Sequence, residues 1–281
     1  MLNVACDCSQ SCAPTICRET IPAYYSVALQ NTRAVDVLLP PGYHSQPTRH
    51  FPVLYLNDGQ DIDALGLPAT LARLVVTGRI QPIIVVGIAA TVDRLHEYGT
   101  VGVPNAQGLG ERAGRYSQFL RHELMPEMNR RYRVRSGSQH TAIVGASMGG
   151  LTAFDLAWSH PDLFGAVGVF SGSFWWRADD RSVRARVVSR IMHRKVRSAP
   201  TLPAIRMWFQ TGTEDETSDR DGDGVIDSIQ DTWELITALE ERGFRLGKQM
   251  RYREIAGGRH DQATWSQVMP ELLEWLWPTE R

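Results

Sequence analysis

The chain has 281 residues and a formal net charge of −1, with 43% apolar and 22% charged residues. That balance fits a globular enzyme with a sizeable core, and the near-zero charge gives no reason to expect a nucleic-acid or polyanion partner. No apolar run approaches the roughly 20 residues of a transmembrane helix, and an α/β chain of this length is often one domain.

All the cysteines (Cys6, Cys8, Cys12 and Cys17) lie at the start of the chain, so a cysteine nucleophile is excluded beyond them. Their C-x-C-x3-C-x4-C spacing does not match the usual zinc patterns. Local disulfides, free thiols and the remnant of an export segment all stay open. Residues 1–5 lack the basic start and apolar core of a signal peptide. Leu2–Cys6 is similar to a lipoprotein cleavage site without its upstream apolar stretch. Cytoplasmic and periplasmic locations therefore both stay open. Residues 1–22 read as a tail and 23–281 as a single catalytic domain.

In chain order, Tyr25–Gln30 and Arg33–Leu39 predict two strands joined by a hairpin at Asn31-Thr32. Phe51–Asn57 is a near-continuous apolar run, as in a parallel strand covered on both faces. Ala64–Thr77 has helical spacing, and Pro82–Ala90 is a second buried strand. Thr91–Ala113 is polar, glycine-rich and without a clear element, which in a compact domain marks a functional or disordered loop. Gly114–Arg131 is an amphipathic helix that Pro126 should kink. The apolar strand from Thr141 is followed by a helix that stops near His160-Pro161. Then come a strand at Phe164–Phe170, a basic helix at Arg181–Arg197 with a solvated charged face, and a strand at Ile205–Thr211. A helix at Trp233–Arg242, a strand at Met250–Ile255 and a closing helix at Gln262–Trp277 complete the chain. Strands alternating with helices predict a mostly parallel sheet with helices on both faces.

The segment Thr141–Leu151, TAIVGASMGGL, places G-x-S-x-G between a buried strand and a helix. A serine on so sharp a turn projects its hydroxyl above the sheet edge, and the glycines admit neighbouring backbone. Ser147 is the candidate nucleophile. The N–H of Met148, at the positive end of the next helix, is a candidate oxyanion donor. A serine needs a base within reach and a group to orient that base. Of the eight histidines, His260 follows the last predicted strand and is the candidate base; His96 is the other reachable one. The acid should follow the strand at 205–211, where Glu214, Asp215 and Glu216 are adjacent. Asp215 is favoured, then Glu216, then Glu214. The order Ser…Asp…His is that of the α/β-hydrolase fold, which is the fold class expected. The second oxyanion donor should come from the turn after Asn57, and the Gln60 N–H is the choice there.

Gly145–Leu151, Leu56–Gln60, Glu97-Tyr98, Phe170–Trp176, Gly212–Asp215 and Gly258-Arg259-His260 together resemble the putative esterase family. That family includes enterochelin esterases, esterase D, feruloyl esterases and mycolyltransferases. The resemblance covers about residues 24–279 in consistent order. Trp175-Trp176 and Arg94-x-x-Glu97-Tyr98 look most like the enterochelin-esterase branch. It implies a serine esterase using Ser147, Asp215 and His260, with no cofactor needed for catalysis.

Trp175 and Trp176 are candidate walls for an aromatic or acyl group, or else core packing. Arg94, Tyr98 and Arg177 are candidate substrate contacts, the arginines toward an anionic group. Asp219, Asp221, Asp223 and Asp227 fall at positions 1, 3, 5 and 9 of a calcium-loop pattern with Gly224 at position 6. Gln230 stands where a bidentate acid is expected. A structural calcium bracing the acid loop competes with a plain acidic turn. The function expected is carboxylic-ester hydrolysis on a small-molecule substrate. An acyltransferase is the alternative, and a non-catalytic binding module is the different-class reading.

Overall fold

The computed structural model describes residues 15–279; Cys6, Cys8 and Cys12 lie outside them. Strands β1 (Cys17–Ser26), β2 (Asn31–Leu39), β3 (Val53–Asn57), β4 (Ile84–Ile88), β5 (Thr141–Ala146), β6 (Ala166–Phe170), β7 (Arg206–Glu214) and β8 (Met250–Arg259) form one sheet in the order β1-β2-β4-β3-β5-β6-β7-β8. β2 runs antiparallel to β1 and β4, and all strands from β4 through β8 are parallel. β3, β4, β5 and β6 are buried almost throughout, as apolar runs covered on both faces must be. The fold is that of an α/β-hydrolase. The chain steps from β3 to β4 on one side and returns to β5 on the other. The crevice at the carboxyl ends of β3 and β5 is thus the place where such sheets bind ligands.

The helices are α1 (Leu67–Val76), α2 (Arg94–Glu97), α3 (Ala113–Gln118), α4 (Met125–Arg131), α5 (Met148–Ser159), α6 (Val183–Val188), α7 (Ile191–Ser198), α8 (Asp227–Glu241) and α9 (Gln262–Leu276). Two cores result, one on each sheet face. One gathers Tyr98, Phe119, Phe154 and Phe209, the other Leu56, Leu71, Trp265 and Leu272. Among the described residues no helix is long and apolar enough to cross a membrane.

Several expectations need correction. Strand β1 begins at Cys17, inside the expected tail. Arg18 of β1 donates to Asp36 and Asp63 across the fold, and Cys17 is buried. The first turn is Val27–Gln30, not Asn31-Thr32. Its N–H groups need no ladder partner: those of Val27 and Ala28 donate to Glu123, and that of Leu29 to the Ser26 hydroxyl. The expected single helix over 114–131 contains a widened π-turn at Phe119–Leu124. Pro126 follows directly, and the wider turn accommodates a ring that would otherwise press on the preceding turn.

The expected basic helix is broken at Ser189-Arg190, where Arg190 turns inward and bonds Asp231 and Glu234 of α8. Its neighbour Lys195 donates to buried Asp155 at 2.5 Å. The run 181–197 is therefore not merely a solvated face. The stretch 91–113 is an ordered strap. It carries α2, and its Gly99 and Val101 N–H groups donate to Thr152 and Asp155 of α5 at 2.8 and 2.9 Å.

Candidate active site

Ser147 sits between β5 and α5 with φ 55° and ψ −126°. That backbone is strained for a side-chain-bearing residue, and three glycines make room for it. A Cβ on Gly145 would stand 2.3 Å from the Gly149 carbonyl oxygen, and one on Gly149 would stand 2.6 Å from Asp58 Oδ2. A Cβ on Gly150 would meet Val169 at 2.8 Å. The turn is pinned from the next strand as well. The Ser147 N–H donates to the Phe170 carbonyl at 2.8 Å, and the Ser147 carbonyl accepts from Ser173 N–H at 3.2 Å. The two hydroxyls of Ser147 and Ser173 lie 3.4 Å apart.

Met148 is the first residue of α5 and Gln60 the middle of a 3-10 turn at Gly59–Asp61. N–H groups at a helix start have no acceptor within the helix, so both can serve a developing anion. The Gln60 turn is held from three sides. Asp58 takes a left-handed backbone (φ 58°), and Arg94 grips its carboxylate with two bonds of 2.7 and 2.9 Å. The Asp58 N–H donates to the Tyr98 hydroxyl at 3.1 Å. The Gln60 side chain accepts from Ala90 N–H at the end of β4. Asn57, which the sequence reading left unassigned, links this turn to the start of α5. Its Nδ2 donates to the Gly149 carbonyl at 2.8 Å while its Oδ1 accepts from Tyr116 at 2.7 Å.

The three adjacent acids after β7 have different surroundings. Asp215 is buried, and Gly212 N–H donates to its Oδ2 at 3.0 Å. The Ser171 hydroxyl, which accepts from Trp265 Nε1 at 3.0 Å, also favours its charged form. Burial raises its carboxyl above the ordinary range, while Gly212, Ser171 and the nearby His260 pull it back. Burial raises Glu216, which the Ser228 N–H at the start of α8 partly offsets. Glu214 is exposed and pairs with Arg259 at 3.3 Å.

His260 follows β8 directly and precedes the Asp261 cap of α9, whose side chain accepts from Thr264 N–H at 2.8 Å. Its ring meets Trp265 edge-on at 5.4 Å. Burial lowers the imidazole below its ordinary value, Asp215 opposes this, and Arg94 adds to it. A neutral imidazole, able to accept a proton, is the result. The β7 and β8 loops can approach because Gly212 lacks a side chain; a Cβ there would stand 2.3 Å from the Gly258 carbonyl oxygen.

Ser147, His260, Asp58, Gln60, Asp61, Arg94, Gln262 and Trp265 line one open cleft of about 330 Å³. A larger depression of about 660 Å³ between Thr100–Val103 and α7 contains neither Ser147 nor His260. It has no reacting constellation.

The putative esterase family matches residues 26–276. The chain belongs to that family. It is a carboxylic-ester hydrolase of the serine type. The uncharacterized Bacillus subtilis protein YbbA is 23% identical over 253 residues, 89% of this chain and 94% of YbbA. An endo-1,4-beta-xylanase/feruloyl esterase of Xylanibacter ruminicola is 24% identical over 58% of this chain, which spans only 22% of that protein. Among solved structures, the Shigella flexneri enterobactin esterase in the presence of enterobactin superposes with a TM-score of 0.73 at 22% identity. That match covers 96% of this chain and 61% of the other. A ferulic acid esterase of Anaeromyces mucronatus in complex with ferulic acid gives 0.66 at 23% identity, covering 94% and 92%. Chains this divergent share the fold.

The esterase does not bring every expected contact to the cleft. Tyr98 and Trp176 are fully buried and serve as packing: Tyr98 supports Asp58, and Trp176 lies against Gly99 and Gly110. Trp175 is 38% exposed but does not line the Ser147 cleft. Arg177 donates to the Trp175 carbonyl. Arg94 reaches the cleft with its guanidinium already held by Asp58. In the acidic loop, carboxylate oxygens of Asp219, Asp221 and Asp223 lie within 4.8 Å of one another. Asp227 does not join them, since it accepts from the Arg220 N–H at 3.0 Å. Gln230 does approach, donating to Asp221 at 2.8 Å.

Proposed function

We propose that Ser147, His260 and Asp215 are the nucleophile, base and orienting acid of this esterase. In that reading Ser147 Oγ attacks the ester carbonyl as His260 takes its proton. The N–H groups of Met148 and Gln60 hold the oxyanion, the alcohol leaves with the proton from His260, and water then releases the acyl group by the same path reversed. The observation that carries it is the one cleft lined by both Ser147, on a strained turn, and His260, whose imidazole buried Asp215 draws toward its charged form. The structural relatives solved with enterobactin and ferulic acid, together with Trp265 in the cleft wall, favour an ester with an aromatic acyl group. A panel of acyl esters including feruloyl and catecholate esters tests the substrate. Ser147→Ala tests the nucleophile. Turnover and labelling by a fluorophosphonate should both vanish while the melting temperature holds. Retention of more than about one hundredth of kcat overturns the assignment.

We further propose that Asp219, Asp221 and Asp223 hold a structural calcium ion, with Asp227 left to Arg220. Three carboxylates at alternate positions of a glycine-containing loop supply hard oxygen ligands of the type calcium takes. An ion that binds only the folded loop stabilises by RT ln(1 + [L]/Kd). Millimolar calcium should therefore raise the melting temperature, and Asp221→Ala with Asp223→Ala should erase the response without changing Ser147 labelling. Equal melting in calcium and chelator at fixed ionic strength removes the ion.

A further inference from the structure

The charges in the cleft do not cancel. Its lining contains the acids Asp58 and Asp61, the cation Arg94 and the base His260. Arg94 and Asp58 neutralise each other through two parallel bonds of 2.7 and 2.9 Å. This geometry fixes the guanidinium plane and occupies Nε and Nη2. His260 is held toward its neutral form. That leaves Asp61, next to the Gln60 oxyanion turn. Among the described residues no cation forms an ion pair with it. Burial raises its carboxyl and Asp58 adds to this, while Gln262, the first residue of α9, and the Asp58-bound Arg94 pull it back. Gln262 and Trp265 are the remaining polar and aromatic parts of the same wall. Arg177, the other cation expected here, is not part of the cleft lining and is bonded to the Trp175 carbonyl.

We infer that Asp61 is a specificity-determining residue. It makes the cleft select esters that are uncharged or cationic beside the scissile bond and present hydroxyl donors, and it turns away esters carrying a carboxylate, sulfate or phosphate there. The inference rests on Ser147 being the nucleophile of this cleft, and it adds the charge class of the substrate to that reading. A carboxylate accepts hydrogen bonds and offers none, so a hydroxyl-bearing substrate satisfies Asp61 and an anionic one leaves two like charges facing each other. In a partly wet cleft such a unit charge a few ångströms away changes productive binding by about tenfold, and added salt weakens the effect.

The test uses the full chain and 4-nitrophenyl esters of three acyl groups of matched length, ending in methyl, carboxylate or trimethylammonium. A second series places the same three groups on the alcohol. At low salt, kcat/KM should fall from cationic to neutral to anionic, with about tenfold or more between the ends in at least one series. Asp61→Asn should contract that spread to within about twofold, chiefly by improving the anionic ester. Asp61→Glu should keep it, and raising salt should shrink it in the wild type. An unchanged spread in Asp61→Asn, or no spread in the wild-type enzyme in either series, overturns the inference. The wild-type measurement stands even where a variant folds poorly. Turnover without charge selection removes only the Asp61 assignment. Turnover that survives Ser147→Ala removes the catalytic reading beneath it.

Discussion

At the level of single residues, burial separates groups that are neighbours in sequence. Glu214, Asp215 and Glu216 are consecutive, yet Glu214 faces Arg259 at the surface and Glu216 lies toward the start of α8. Asp215 turns into the sheet end, where Gly212, Ser171 and His260 surround it. In the proposed triad a carboxylate there would fix the imidazole tautomer and stabilise the imidazolium formed as Ser147 attacks. Asp215→Asn should accordingly cost kcat up to about 10⁴-fold with the fold intact. Glu216→Gln should leave kcat within a few-fold. Steady-state kinetics on both variants decide this, and the reverse ranking would move the acid to Glu216. The sequence narrowed the acid to three positions because each lies just past a strand. It could not choose among them, since the choice depends on Gly212 and Ser171, brought close only by the sheet.

At the level of elements, the legible parts were those whose signal is local. The buried runs of β3, β4, β5 and β6 and the strand–turn–helix around Ser147 follow from apolar patterning and glycine placement, so they can be read directly. The misread parts depend on distant partners. β1 reads as tail because Arg18 finds its partners, Asp36 on β2 and Asp63, only in the folded chain. The basic helix divides because Arg190 finds Asp231, 41 positions away. The strap at 91–113 reads as loop because its order comes from Thr152 and Asp155 on α5. Asn57 illustrates the same limit within the site. Its place at a strand end marks it as a candidate, but its role is to fasten the Gly149 carbonyl and thereby join the turn after β3 to the start of α5. Aromatic patterning misled in the opposite direction. Trp176 and Tyr98 flank the site in sequence, yet both are packed beneath it.

For the molecule as a whole, the same buried charge cluster sets a limit on acid stability. Arg190, Asp231, Glu234 and Arg220 tie α7, α8 and the acidic loop together. His193 of α7 lies beside them, almost wholly buried, and its Nε2–H donates to the Asp231 carbonyl at 2.9 Å. Burial, reinforced by the positive charge of Arg190, pushes its imidazole down to about 3. The folded protein therefore keeps His193 neutral, while the unfolded chain protonates it near its ordinary value of about 6.5. Between those values the unfolded state binds the additional proton, so stability must fall as pH drops. Above about 6.5 neither state is protonated there, and the residue adds no pH dependence. His193→Gln removes the titration but retains an N–H donor for the Asp231 carbonyl. It should be somewhat less stable than wild type at pH 7.5, yet lose melting temperature more slowly between pH 7 and pH 4. Other titrating groups act alike in both proteins, so the difference in slope isolates His193. Parallel melting-temperature profiles over that range would show that the cluster admits a protonated His193 and that acid lability arises elsewhere.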